Sequence, residues 1–250
     1  MRHDHGTHRR CCFLPSSMVL VFSVVVLAAL LTPASAQTLG APFAGLIPPP
    51  GVSTAPSVYS ALLDFQAGWV TGENPYGVWS YGGSWGMAGP LVLFQEHWTD
   101  SDQGFLQQWA EPSVFGGESE DAGVPHVSRN WSYDYDDGNV SWAAGRLALH
   151  PGVNYAYAHI VFTAPAGGLY SVVATFYAQQ WGIDTDVHVL VRGRAHFSKT
   201  ITNMGESQSF AQLLFLRAGE TVDFAVGPNG NPELHPGHTG LEAVVARIWP

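Results

Sequence analysis

Several stretches of this chain carry residue types that could do chemistry. Gly82-Gly-Ser-Trp-Gly86 fits G-x-S-x-G, the spacing of a serine nucleophile raised on a strand-to-helix turn. The residues after it, Met87-Ala-Gly-Pro90, would stop a helix at once, so the plainer expectation is a glycine-rich turn between strands. Asp184, Asp186 and His188 fall at i, i+2 and i+4, which on a strand puts them on one face, a pattern open to metal binding or acid–base work. Val187, Val189 and Val191 would then take the opposite face, which favours a solvent-facing polar stripe. Asp134-Tyr-Asp-Asp-Gly-Asn139 crowds hard oxygen donors of the kind Ca²⁺ prefers, making Asp134, Asp136 and Asp137 candidate metal ligands. The match to an EF-hand loop fails, because Gly138 fills the third ligand slot and no Glu stands at the twelfth. His235-Pro-Gly-His238 could be a two-histidine loop site, with a simple surface turn as the plainer alternative.

A second kind of site is suggested by aromatic residues. Trp79, Tyr81, Trp85, Trp98, Trp109, Trp131, Tyr133, Tyr135 and Trp142 concentrate between positions 79 and 142, many beside Gly, Ser, Asp or Asn. Sugar rings stack their C–H faces on such side chains while neighbouring polar groups bond the hydroxyls. The expected ligand-binding set is Trp131, Tyr133 and Tyr135 in one exposed loop, with Trp79 and Trp85. The competing expectation is that a chain of this kind fills its core with Trp and Tyr.

The elements that must position these residues are strands. Ala218 to Gly227 alternates Val222, Phe224 and Val226 against Thr221, Asp223 and Ala225, the period of a half-buried antiparallel strand. The same alternation recurs at Tyr155 to Ala164, Leu169 to Tyr177, Asp186 to Val191, His196 to Thr202, Ser209 to Leu216 and Leu241 to Trp249. Turns separate these runs about every ten residues, and no helical periodicity lies between them. Upstream, Val78–Tyr81, Pro90–Trp98, Phe105–Ala110, Val124–Trp131 and Val140–His150 read as further strands, and Tyr133–Gly138 reads as a turn. Ser57 to Gln66 is either an edge strand or a brief helix. The expected fold is therefore all-β, a single antiparallel β-sandwich of jelly-roll type over 57–250.

Residues 1–36 read as a secretory signal peptide, with basic Arg2, Arg9 and Arg10, an apolar run from Met18 to Leu31 and Ala34-Ser-Ala36 before Gln37. Residues 37–56, Gly/Pro/Ala-rich with Pro48-Pro-Pro-Gly51, read as a linker. Both cysteines, Cys11 and Cys12, fall in the leader, so the processed chain has no disulfide, no thiolate ligand and no cysteine nucleophile. Processing leaves seven basic and nineteen acidic residues, a net charge near −12 with His neutral. So acidic a chain is poorly suited to nucleic acid or anionic membranes, and neutral sugars, cations or proteins remain as partners. The expectations that follow are a secreted, extracellular or periplasmic location, no membrane span after processing, and a monomer.

Leu149-His-Pro-Gly152, Phe162-Thr-Ala-Pro-Ala-Gly167, Thr185-Asp-Val-His-Val-Leu-Val191, Arg217 to Gly227 and Thr239-Gly-Leu-Glu-Ala243 follow one another in an order that resembles secreted bacterial β-sandwich modules. That group includes modules with C-terminal sorting tails and the galactose-binding-like jelly rolls appended to polysaccharide-degrading enzymes. Asn74-Pro-Tyr-Gly-Val-Trp-Ser-Tyr81 resembles the opening segment of the same modules. No sorting helix follows Trp249, so surface retention by that route is not expected. The resemblance covers nearly all of 57–250 and implies a fold rather than an activity, together with a possible structural Ca²⁺ and no required cofactor. The expected function is a non-catalytic module that binds carbohydrate or acts at the cell envelope. The alternatives are a structural or adhesive envelope protein and a glycan-active hydrolase or lyase built on His, Tyr or Asp.

Overall fold

The computed structural model describes residues 57–65, 72–99, 106–116, 125–233 and 237–249. The expected leader, the linker, most of the acidic Gly116–Gly123 stretch and His235 lie outside them. In chain order the strands are β1 (Ser57–Ser60), β2 (Trp79–Trp85), β3 (Val92–Leu93), β4 (Glu96–Thr99), β5 (Leu106–Ala110), β6 (His126–Asn130), β7 (Tyr135–Asp136) and β8 (Ser141–Trp142). They continue as β9 (Leu147–His150), β10 (Ala156–Thr163), β11 (Gly168–Ala178), β12 (Thr185–Val191), β13 (Arg194–Ile201), β14 (Ser207–Leu216), β15 (Thr221–Gly227) and β16 (Thr239–Trp249). One helical turn, α1 (Pro112–Phe115), opens on Pro112, whose fixed φ suits a first helical position.

The strands pair antiparallel, β7 with β8 in a separate two-stranded sheet and the others in two large sheets. One has six strands in the order β13-β12-β15-β10-β2-β3. The other runs β14-β11-β16-β9-β6-β5-β4, with β1 pairing the Val244–Arg247 half of β16 on the edge whose other half, Thr239–Leu241, holds β9. The sheets face each other across the alternate apolar residues. Phe162 of β10 meets Tyr170 of β11 edge-on at 5.9 Å, Tyr81 of β2 stacks on Trp109 of β5 at 6.1 Å, and Phe197 of β13 touches Phe176 and Phe210. Each such ring contributes about 1.5–3 kcal/mol on full burial, so layered aromatics can stabilise a core that no disulfide crosslinks. All-β architecture and the antiparallel sandwich are as expected. Val187, Val189, Val191, Val222, Phe224 and Val226 point inward, and the residues between them form the outer face of the six-stranded sheet.

The structure departs from the sequence reading in four places. Pro90–Trp98 is two strands, because the chain turns inward at fully buried Phe94 and crosses from the edge of one sheet to the edge of the other. Val140–His150 is likewise split, with a turn at 143–146 between β8 and β9. Tyr133–Gly138 contains half of a small hairpin, since Tyr135 and Asp136 pair with Trp142 and Ser141. Ser57–Gln66 begins as a strand and ends in a turn at 61–64.

Candidate functional site

Chemistry-bearing side chains converge on the outer face of the six-stranded sheet, where β2, β10, β15 and β12 lie side by side. Register places them. His159 of β10 and His188 of β12 both stand opposite Ala225 of β15, so the two imidazoles flank a methyl group. Two residues along, Asp186 stands opposite Gly227, and the Tyr157 ring lies over that glycine. The Tyr157 ring crosses this glycine and donates to Asp186 Oδ2 at 2.5 Å. A side chain at position 227 would overlap the ring and the Asp186 carboxylate, so glycine there is a packing requirement.

Two hydrogen-bonded chains result. In the first, Ser84 Oγ lies 2.7 Å from His159 Nε2, and His159 Nδ1 lies 3.0 Å from each oxygen of Asp223. Ser84 Oγ also donates to the Gly86 carbonyl at 2.7 Å. In the second, Asp186 Oδ2 also meets His188 Nε2 at 2.7 Å, His188 Nδ1 meets Ser198 Oγ at 2.8 Å, and the Asn229 N–H donates to Asp186 Oδ1. Burial pushes the Asp186 carboxyl up. The bonds from His188, Tyr157 and the Asn229 amide outweigh burial and hold it below the usual carboxylate range. Burial, reinforced by the neighbouring carboxylate, pushes the Tyr157 phenol far above its ordinary value, so it stays protonated and a donor. Ser84, His159 and His188 are almost fully enclosed, while Asp223 and Asp186 keep a partly wetted edge.

Beside this face the chain carries exposed aromatic rings. Trp85 follows Ser84 and is 45 % exposed; the next amide, Gly86 N–H, donates to the carbonyl of exposed Tyr155. Asn154 and Tyr155 both have positive φ, 56° and 63°, a conformation that costs a non-glycine residue on the order of 1 kcal/mol or more.

The aromatic loop expected to bind ligand lies on the other sheet. Trp131 and Tyr133 are 52 % and 56 % exposed. They are held out by Asn130, which is fully buried and whose amide donates to the Tyr133 and Trp142 carbonyls and accepts from Ser132 N–H. Asn130 is thus a buried bracket, and its N-x-S sequence offers no accessible amide. Trp181, another exposed ring, is tied to the same hairpin through its N–H to the Asn139 carbonyl. Tyr135 is only half exposed, packing with Leu106, Trp142 and Ala148 while its hydroxyl donates to Asp137. Trp79 does not belong to this surface. It is fully buried between Phe162 and Phe224 with Nε1 donating to Asp64, because its strand turns that face inward.

The three aspartates expected to bind metal each accept backbone amides within their own hairpin. Asp134 accepts from Ala144 N–H, Asp136 from Gly138 N–H, and Asp137 from the Asn139 and Val140 amides, which hold its carboxyl below the usual range. Among the described residues no three His, Asp or Glu side chains are placed to share a metal ion. Asp184 does not join the Asp186–His188 pair directly; Asn229 Nδ2 donates to it.

The sequence reading missed two groupings. His159 and Asp223 are ordinary outward positions on two strands 64 residues apart, and only the register of β10 with β15 joins them. On the eight-stranded sheet His126, His150 and His238 pack ring against ring, with centroids 4.7–5.7 Å apart and Trp142 on one side. Burial, with His126 beside it, holds the His238 imidazole down at about 3.

No family model and no curated protein matches the chain. Solved structures do. A family 35 carbohydrate binding module from Clostridium thermocellum is 14 % identical with a TM-score of 0.26, covering 56 % of this chain and 86 % of that one. A CBM51 from Clostridium perfringens GH95 in complex with methyl-galactose is 7 % identical with a TM-score of 0.32, covering 76 % and 99 %. A Podospora anserina GH26-CBM35 β-(1,4)-mannanase is 10 % identical with a TM-score of 0.29, covering 48 % of this chain and 24 % of the enzyme. The likeness is one of β-sandwich fold, and the overlaps are too loose to carry over a ligand or a residue's role.

Proposed function

We propose that this chain is an exported β-sandwich module that binds carbohydrate through the Trp131–Tyr133 hairpin. One observation carries the reading: two large rings stand more than half in water on a loop whose base is pinned by a buried asparagine. Apolar rings held out by a fixed scaffold are surfaces for stacking, and the Asp- and Asn-rich neighbourhood supplies partners for sugar hydroxyls. Export rests on the basic, apolar and small-residue succession of residues 1–36. Among the described residues no helix is long and apolar enough to cross a membrane.

Affinity electrophoresis against a panel of neutral polysaccharides tests the reading. Retardation by at least one, reduced roughly tenfold or more in Trp131→Ala/Tyr133→Ala with unchanged melting, is the expected result. Passage of the wild-type chain unretarded through every glycan removes it.

A protein partner is the second reading, favoured by Leu213 and Phe215. Both are exposed and project outward from β14, an edge strand of its sheet. Retention on cell-envelope fractions that is lost in Leu213→Ser/Phe215→Ser, with no glycan retention, would select it.

A further inference from the structure

The geometry points to a second activity on the opposite sheet: we propose that Ser84, His159 and Asp223 form a nucleophile–base–orienter set that hydrolyses esters of short acyl groups. The site is separate from the Trp131–Tyr133 hairpin, so the inference does not depend on sugar binding.

Three requirements of such a set are met. The nucleophile and base are in contact, at 2.7 Å between Ser84 Oγ and His159 Nε2. The base is oriented from its other nitrogen by a carboxylate that is equidistant, at 3.0 Å, from both oxygens. The three side chains come from three adjacent strands, β2, β10 and β15, whose registers fix them without a loop. Ser84 does not sit on a strand-to-helix elbow. It is the sixth residue of β2, and recognition of such a set depends on geometry and roles, not on the host fold.

The chemistry balances as acyl transfer. Ser84 Oγ adds to the ester carbonyl carbon as its proton passes to His159 Nε2, and Asp223 stabilises the imidazolium formed. The tetrahedral adduct expels the alcohol, which takes the proton from Nε2 and leaves an acyl-serine. Water, deprotonated by the same nitrogen, then releases the carboxylic acid and restores the serine.

The resting structure holds this set closed. Ser84 Oγ has one proton and two acceptors, the Gly86 carbonyl and Nε2, and attack requires the second. Ser84 has no exposed surface, whereas the turn over 86–91 is largely exposed and carries Gly86 at φ 81° and Gly89. Movement of that turn would remove the competing Gly86 carbonyl and shift Leu91 from beside the serine's strand neighbour Gly82. Leu91, which lies over the neighbouring Gly82, and the complete burial of Ser84 restrict the acyl group to a small one such as acetyl.

The test uses the full chain with p-nitrophenyl acetate and a fluorophosphonate probe. The expected results are ester hydrolysis above the buffer rate, a single fluorophosphonate adduct mapped to Ser84 by peptide mass spectrometry, and loss of both in Ser84→Ala. His159→Gln should lower the rate by about 10²–10⁴-fold. Circular dichroism and melting of each variant separate lost chemistry from lost fold. A folded wild-type chain that neither reacts with the probe nor exceeds the buffer rate overturns the proposal, as does an adduct on another residue or a folded Ser84→Ala that keeps the rate.

Discussion

The outer faces of the two sheets treat polar and aromatic residues in opposite ways. On the six-stranded sheet, Tyr157, His159, His188, Asp186 and Asp223 bond one another across Ala225 and Gly227, and little of them meets water. On the eight-stranded sheet, the 131–142 hairpin satisfies its backbone with Asn130 and three aspartates and leaves Trp131 and Tyr133 exposed. Side chains already committed to each other can position a reacting atom, but they have few groups left for a bulky ligand. Rings that stand more than half in water suit stacking and carry no acid–base chemistry. The difference therefore assigns proton chemistry to one face and recognition to the other.

The comparison is broken most severely at its tightest point. Gly227→Val drives a branched side chain into the Tyr157 ring and the Asp186 carboxylate, and should cost about 2–4 kcal/mol of stability in urea unfolding. A variant within about 0.5 kcal/mol of wild type would mean that the network is not rigid.

Acid should come next, acting from the opposite sheet. His238 is neutral in the fold down to about 3, while the unfolded chain takes up its proton near the ordinary value of 6.5. Its contribution is complete above pH 6.5 and declines as pH falls towards 3. The depressed Asp186 carboxyl acts in the same direction, its contribution disappearing as pH falls through its folded value. Melting temperature should drop steadily from pH 7 to pH 4 in calorimetry, and His238→Gln should flatten the upper part of that slope. A flat profile for wild type would contradict the enclosure of the His126–His150–His238 stack.

Removing one charged acceptor is smaller. Asp186→Asn weakens bonds to Tyr157 and His188, with an expected loss of about 1.5–3 kcal/mol in the same unfolding measurement. It should also bring the Tyr157 phenol back towards its ordinary value in an ultraviolet titration, since one of the causes raising it is removed. The smallest effect belongs to the hairpin. Trp131→Ala should leave stability within about 0.5 kcal/mol while changing glycan retention, because the ring is more than half in water.

Much of the fold could be read from alternation. The inward residues of β12 and β15 are those the period selects, since an antiparallel strand with one buried face must repeat every second position. Segments with a bend read as single strands, as at Phe94, because a chain that switches sheets keeps its apolar run while changing partners. Alternation also cannot say which of two faces is inner. Trp79 and Tyr81 share a face opposite Ser80 and Gly82, and that pairing of large against small was the available sign that Trp79 is core.

The site was less legible. Asp184, Asp186 and His188 stand out by spacing, and the last two do meet, but Tyr157 joins them only from another strand, by crossing Gly227. Ser84 stands out by its motif, but the sequence after it can form no helix, which points to a turn. His159 and Asp223, which restore meaning to that serine, reach it through pairings across 64 and 75 residues that no local pattern displays. In the aspartate loop, composition points to hard oxygen donors, while the backbone amides that bond them come into view only with the hairpin.

Isothermal titration of one retained polysaccharide into three folded proteins tests the division of labour most directly. Wild type and Ser84→Ala should bind with equal affinity, while Trp131→Ala/Tyr133→Ala should lose most of it. Loss of binding in Ser84→Ala, with the double variant unimpaired, would place recognition on the six-stranded sheet and contradict the assignment of the two faces.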